Sequence, residues 1–322
     1  MTAVPADLAP TSSLQTHSSG RVFKNRLATV LVTLSFLIAL IPLIWVLWTV
    51  VSNGLSTILH AHWWTGTQRN ITYQTPGGGA FHAIIGTLEQ VGLCAAISLP
   101  LALMVGIYLV EYGGNLLARV TTFMIDILTG IPSIVAALFI FALLHETLHV
   151  GLSGWLVSLA LVILMVPVVV RSTEEMLRLV PNELREASYA LGIPKWKTIA
   201  RVVVPTAFTG IITGVVLGIA RVAGETAPLL ILVSTSDSTN ANVFSGNQTA
   251  LPTLIRNNFQ DAGQKAAGGV SYHLDKNGNR VAGAVQNFAV DRLWGSALTL
   301  ILIVLFLTFI ARFIGRFNKL AK

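Results

Sequence analysis

A guanidinium and a carboxylate four residues apart inside a membrane-length apolar run, Arg221 and Glu225 in the string RVAGETAPLLIL, are the side chains of this sequence best suited to chemistry. The planar fork of an arginine matches the oxygens of an oxyanion. An arginine in hydrocarbon costs about 2.5–3.5 kcal/mol on insertion scales, so it needs a partner or a wet cavity. Glu225, at i+4, can be that partner. The spacing supports two readings. In one, the pair is a structural intrahelical lock between spans. In the other, Arg221 receives an anion in transit, Glu225 holds the arginine when none is present, and Glu225 can also take a proton from a protonated anion.

Gly210, Gly214 and Gly218 precede the pair at four-residue intervals, a small-residue stripe that lets another helix approach closely. Continuing that stripe points Arg221 and Glu225 at a neighbouring subunit or a pathway, away from lipid. Pro228 removes a backbone hydrogen bond to the carbonyl of Gly224, which predicts a kink at Glu225 and Thr226. A second polar set, Asp126 with Thr129 and Ser133 at i+3 and i+7, is placed to cap a half-helix or to line the pathway. Glu89 reads as paired or structural, and Pro132 and Pro167 as kinks.

Several chemistries have no support. Gly77, Gly78 and Gly79 lack the following lysine and hydroxyl of a phosphate-binding loop, and read as a flexible turn. There is no H-E-x-x-H string, and the single cysteine, Cys94, excludes an internal disulfide or a cysteine metal site. Asp275, Asn277 and Asn279 resemble a calcium loop only loosely, because the glycine is misplaced and no glutamate follows at twelve. Neither catalysis nor a metal site is expected on this chain.

The elements that must hold these residues are membrane helices. Hydrophobic residues make up 53% of the chain and charged residues 11%, with a mean hydropathy of +0.72, which excludes an ordinary soluble domain. Apolar runs of the roughly 20 residues that cross a bilayer lie at Thr29–Val51, Ile84–Val110, Phe123–Leu144, Leu152–Val170, Pro205–Val233 and Leu293–Phe313. Six spans are predicted. The polar start, 1–20, reads as a disordered cytoplasmic tail, and the first run is too long for a cleaved signal. Trp63 and Trp64 read as an interfacial belt. With both termini inside, fourteen lysines and arginines fall on inner segments and six on outer ones, as positive-inside asymmetry requires. Val270–Leu274 and Arg280–Val285 flank a turn and predict an outer-loop β-hairpin.

Between the fourth and fifth runs lies EASYALGIPKWKTIARVVVP, Glu186 to Pro205. Asn182 is the predicted N-cap of a short helix, Leu184, Ala187, Ser188 and Leu191 share a face, and Gly192 with Pro194 ends it. About nine helical residues are marginal alone, so the helix needs a partner or, on another reading, a membrane surface to lie on.

The order Glu186, Ala187, Ser188, three residues, Gly192, nine residues, Val202, one residue, Val204, Pro205 resembles the EAA loop of ABC importer permeases. More narrowly, Arg221 to Leu229 is similar to the R-x-x-G-E-T-A-P-L run of PstA-type permeases of phosphate-specific ABC importers. Gly130 to Val135 resembles their G-I-P-S-I-V, and Tyr108 to Gly113 their Y-L-x-E-Y-G, with Ala137 in place of an expected glycine. The resemblance implies an all-α integral membrane protein of six transmembrane helices with a cytoplasmic coupling helix, the type I ABC importer permease fold, over 21–322 with its coupling loop at 171–201. It implies docking of an ATPase through Glu183, Leu184, Glu186, Ala187, Ser188, Leu191 and Gly192, and a substrate pathway at Arg221, Glu225, Thr226, Asp126 and Ser133. The implied partners are a second homologous permease (PstC type), two ATPase subunits (PstB type) and a phosphate-binding protein (PstS type). ATP and magnesium would bind the ATPase, with no cofactor on this chain. Permeation of another oxyanion, sulfate or molybdate, and an ATP-independent channel or carrier remain the alternatives.

Overall fold

The computed structural model describes residues 19–263, 270–274, 280–284 and 287–317. The polar start up to residue 18, residues 275–279 where the sequence predicts a turn, and the last five residues lie outside them. Two units, Met1–Thr49 and Val50–Lys322, divide the chain. In the first, helix α1 (Ser19–Ile58) begins as an apolar rod with its side chains exposed from Phe23 onward. That pattern suits a helix whose solvent is lipid.

Among the described residues the second unit holds the end of α1 and eleven further α-helices: α2 (Ala61–Thr65), α3 (Phe81–Glu111), α4 (Leu116–Gly130), α5 (Ser133–Ile140), α6 (Gly154–Arg178), α7 (Asn182–Ala190), α8 (Lys195–Thr198), α9 (Val204–Ala223), α10 (Ala227–Leu232), α11 (Leu251–Gly263) and α12 (Ala289–Phe317), with π-helical turns continuing α5 (Phe141–Thr147) and leading into α9 (Ile199–Val203). Val270–Leu274 and Arg280–Ala284 pair antiparallel in register Val270↔Ala284 to Leu274↔Arg280, as the alternation around the turn predicts.

Contacts fix the helix directions. Ser158 of α6 donates to the carbonyl of Gln90 on α3 (3.0 Å), Ser98 lies 3.0 Å from the sulfur of Met165, and Gly106 meets Thr173. Position rises together on both helices, so α3 and α6 run parallel. The chain between them must therefore cross back, and α4 and α5 are what it crosses with. They bend by 107° at the break, so the third predicted span is a broken pair and not one straight helix. Pro132 lacks an N–H and forces Ile131 into extended backbone (φ −72°, ψ 125°), which ends α4 and caps α5. Among the described residues five single helices are long and apolar enough to cross a membrane, and with this pair taken as one span they number six.

The glycine stripe packs α9 antiparallel on α6. A Cβ on Gly210 would strike Met176, one on Gly214 would strike Ser172, and one on Gly218 would touch Val169 and Met165. Its partner is thus a helix of the same chain. Trp63 is also placed differently from the expected belt: it is fully buried, with Nε1 donating to Thr299 Oγ1 at 2.9 Å. Trp64 is the exposed one.

The segment after α10 folds back onto the bundle. Gln248 donates to Glu89 (2.5 Å) and accepts from Gln90 (2.8 Å), and Thr87 Oγ1 accepts from the N–H of Leu251 at the start of α11. Glu89 is therefore partnered. Gly86 makes the approach feasible, since a Cβ there would sit 2.2 Å from the carbonyl oxygen of Thr249. Gly86→Ala is expected to destabilise the protein by about 1–3 kcal/mol through overpacking, read as a lower Tm of the purified protein in detergent. An unchanged Tm would mean the segment is not seated on α3.

Candidate functional site

The fifth apolar run does not continue as one helix. Gly224 ends α9, its N–H and that of Glu225 reach back to the carbonyls of Arg221 and Val222, and Pro228 opens α10. Arg221 is one turn beyond Gly218, and Gly218 lies between Met165 and Val169. That level is near the middle of the apolar part of α6, so a cation and a helix break share mid-span depth. The expected Arg221–Glu225 ion pair is absent among the described residues. Its physical reason is the break: i,i+4 geometry needs a continuous helix, and Glu225 is already outside α9. Arg221 is exposed on the chain, while Glu225 and Thr226 are half-buried.

Ser133, half-buried, opens α5 just after the other break. The two half-helices that follow the breaks, α5 and α10, pack on one another and on α6. The strings GIPSIV and GETAPL thus make equivalent structures, a broken helix with polar residues at the interruption.

Asp126 is neither a cap nor part of that cluster. It lies within α4 and pairs with Arg171 of α6, which is also bound by Glu174 at 2.7 Å; Glu174 in turn accepts from Arg178 at 2.6 Å. This chain of alternating charge, Asp126–Arg171–Glu174–Arg178, was missed in the sequence. The signal was present, because Arg171, Glu174 and Arg178 recur at i+3 and i+4 on one helix face. With Arg119, three of the four border a cavity of about 350 Å³ where the C-terminal ends of α3 and α6 meet α4. Asp126 is more than half exposed and Glu174 is buried. Asp126→Asn is therefore expected to cost under about 1 kcal/mol of stability, and Glu174→Gln distinctly more, in a comparison of Tm values. Equal losses would contradict this ordering.

The short helix α7 covers nine residues, as its spacing predicts. Pro181, not Asn182, precedes it; Asn182 is its first residue and accepts instead from Arg185 (3.2 Å). Proline there needs no donor of its own and fixes the entry. At the other end, Gly192 at φ +74° allows its N–H to reach Tyr189 O and that of Ile193 to reach Ser188 O, a Schellman closure. Glu183, Leu184, Glu186, Ala187, Leu191 and Gly192 are exposed. Ser188 is buried, bonded to Thr198 at 2.8 Å. With Leu179, Tyr189 and Trp196 also exposed, one end of the molecule presents a mixed acidic and apolar platform.

That platform is fastened to the end of α3. Arg185 donates to Glu111 Oε1 (3.0 and 3.2 Å) and to the carbonyls of Leu177 and Val180. Lys195 reaches the carbonyl of Glu111 and lies 4.5 Å over the ring of Tyr112. Tyr108 bonds Asn115, whose side chain caps α4 at Ala118. The string YLVEYG therefore builds the joint between α3, α4 and the short helix.

Residues 98–319 match the family of binding-protein-dependent transport system inner membrane components. The chain is 49% identical over 284 residues to the phosphate transport system permease protein PstA 1 of Mycobacterium tuberculosis, covering 88% of this chain and 86% of that one. It is 50% identical over 291 residues to the PstA of Mycobacterium leprae, covering 90% and 88%. Among solved structures, a bacterial alginate ABC transporter in complex with an alginate pentasaccharide-bound periplasmic protein is similar in fold, with a TM-score of 0.59, 13% identity, and coverage of 92% of this chain and 96% of that one.

Proposed function

The chain belongs to the binding-protein-dependent transport system inner membrane components, among the PstA-type phosphate permeases, and from that premise we propose that it translocates inorganic phosphate across the cytoplasmic membrane. It is a multi-pass permease subunit and both termini are cytoplasmic. The observation that carries the site is Arg221, a cation at mid-span, exposed beside a helix break and paired with no carboxylate among the described residues. A guanidinium so placed in a low-dielectric setting attracts an oxyanion far more strongly than at a surface.

Glu225, Thr226 and Ser133 line the same interruptions, where irregular backbone is tolerable only against protein or water. Asp126 lies further inward and acts through Arg171: while the pair is closed, the carboxylate occupies a guanidinium that an anion would otherwise engage. Discontinuous helices packed against each other allow one half to move without unfolding the other. Alternating access follows, with the site open to one side and then to the other.

ATP supplies the drive from elsewhere. Two ATPase subunits (PstB type) dock on Glu183 to Gly192, a second permease (PstC type) completes the pathway, and a phosphate-binding protein (PstS type) delivers the anion from outside. ATP and magnesium bind the ATPase. Competition decides the cargo: in vesicles holding the assembled complex, unlabelled phosphate is expected to suppress labelled phosphate uptake, whereas sulfate and molybdate are not. Equal suppression by sulfate or molybdate would replace phosphate as the substrate.

A further inference from the structure

We infer that Glu111 is a positioning residue that makes α3 and the short docking helix α7 a single rigid arm, so that motion of α7 is delivered to α3 and not lost in the loop. The inference rests on the reading of α7 as the ATPase-facing element, and not on the identity of the transported anion.

The geometry is specific. Glu111 is the last residue of α3, and its side chain is 4% exposed. One carboxylate oxygen takes two donors of Arg185, a residue 74 positions away at the middle of α7. The same arginine holds the carbonyls of Leu177 and Val180 at the end of α6, so the guanidinium gathers three helix ends at one point. The carbonyl of Glu111 takes Lys195, just beyond the Schellman closure, and the Tyr112 ring covers that ammonium. The middle of α7 and the start of α8 are thereby tied to Glu111 and Tyr112, the last residue of α3 and the one after it. A helix otherwise exposed on all sides but Ser188 gains no comparable hold from apolar packing.

An arginine that donates twice to one carboxylate oxygen and also holds two carbonyls resists shear and rotation, where a single lysine contact does not. If α7 is pulled by the closing ATPases, α3 must follow. Since α3 runs parallel to α6 along nearly its whole length, with Gly106 against Thr173, the displacement enters the bundle core directly. Rigid helices joined by hydrogen-bonded and ion-paired contacts of this kind are a route by which one site is coupled to another.

The complete complex, reconstituted in nanodiscs, tests this with Glu111→Gln and Glu111→Asp. Glutamine keeps the shape and removes the charge; aspartate keeps the charge on a shorter stem. For Glu111→Gln, phosphate-stimulated ATP hydrolysis is expected to persist while phosphate moved per ATP falls by about tenfold, within the usual range of coupling factors. Glu111→Asp is expected to restore part of the coupling. A second readout is independent of cargo. The native Cys94 is buried, so spin labels at Met104→Cys on α3 and Ala190→Cys at the end of α7, both exposed and neither among the docking side chains, report one distance. With Glu111 intact that distance should be the same with and without trapped ATP; with Glu111→Gln it should broaden or shift. Transport per ATP equal to wild type in Glu111→Gln, or a label distance that changes with ATP when Glu111 is intact, overturns the inference. Retention of the ATPase and of uptake by Glu186→Lys would sink the docking reading of α7 itself, whereas coupling unchanged in Glu111→Gln, in a complex that Glu186→Lys does disassemble, sinks only the joint, so the two failures are distinguishable.

Discussion

Arg221→Gln is expected to abolish phosphate uptake while the permease still assembles with its partners. The two halves of that expectation have separate causes. Assembly survives because Arg221 is exposed and makes no ion pair with Glu225, so its removal strands no buried carboxylate. Taking a charge out of an apolar run also relieves an insertion cost of about 2.5–3.5 kcal/mol. Uptake fails because glutamine offers a neutral amide where a charged fork met the anion. Removing one member of a desolvated charge contact costs about 2–5 kcal/mol, which is about thirtyfold or more in occupancy at limiting phosphate. Labelled-phosphate uptake in vesicles measures the second half, and co-purification of the other subunits measures the first. Uptake equal to wild type would remove Arg221 from the pathway. Loss of assembly together with uptake would return it to the structural reading, a brace between helices.

What could be read in the sequence differs by element for physical reasons. The nine-residue extent of α7 was legible because Gly192 and Pro194 are strong stop signals whose effect is local. Its N-terminus was misassigned by one residue, since Pro181 and Asn182 both suit a helix start and the Asn182 side-chain oxygen accepts from Arg185 in the same helix instead of capping it. The third span was legible as apolar and as kinked at Pro132, but the size of the kink was not: periodicity measures burial, and a 107° bend leaves hydropathy unchanged. Arg221 and Glu225 were found by their charge in an apolar run, yet their pairing was overstated because it presumed a continuous helix through Gly224. The joint at Glu111 was invisible in the chain order. It links residues 74 and 84 positions apart, and no spacing rule reaches that far.

Glu186→Lys is expected to give the second large loss, by a different route. Glu186 lies mid-helix on α7, exposed, while the neighbouring Arg185 faces inward to Glu111. Reversing its charge leaves the Schellman closure, the Ser188–Thr198 bond and the Arg185 anchor in place, so α7 keeps its position. A partner surface complementary to a carboxylate then meets an ammonium, and like-charge juxtaposition at an interface costs several kcal/mol, or about a hundredfold or more in affinity. The ATPase should no longer co-purify, and uptake should fall to background. Retained ATPase and intact uptake together would show that α7 is not the docking element and leave a helix lying on the membrane surface as its role. The contrast with Glu111→Gln is what gives the pair of variants its force. One breaks the contact between the ATPase and α7, and loses hydrolysis coupled to the complex altogether; the other keeps that contact and breaks the joint behind it, so hydrolysis continues without transport. A docking surface that was merely adhesive would need no joint, and the two variants would then fail in the same way.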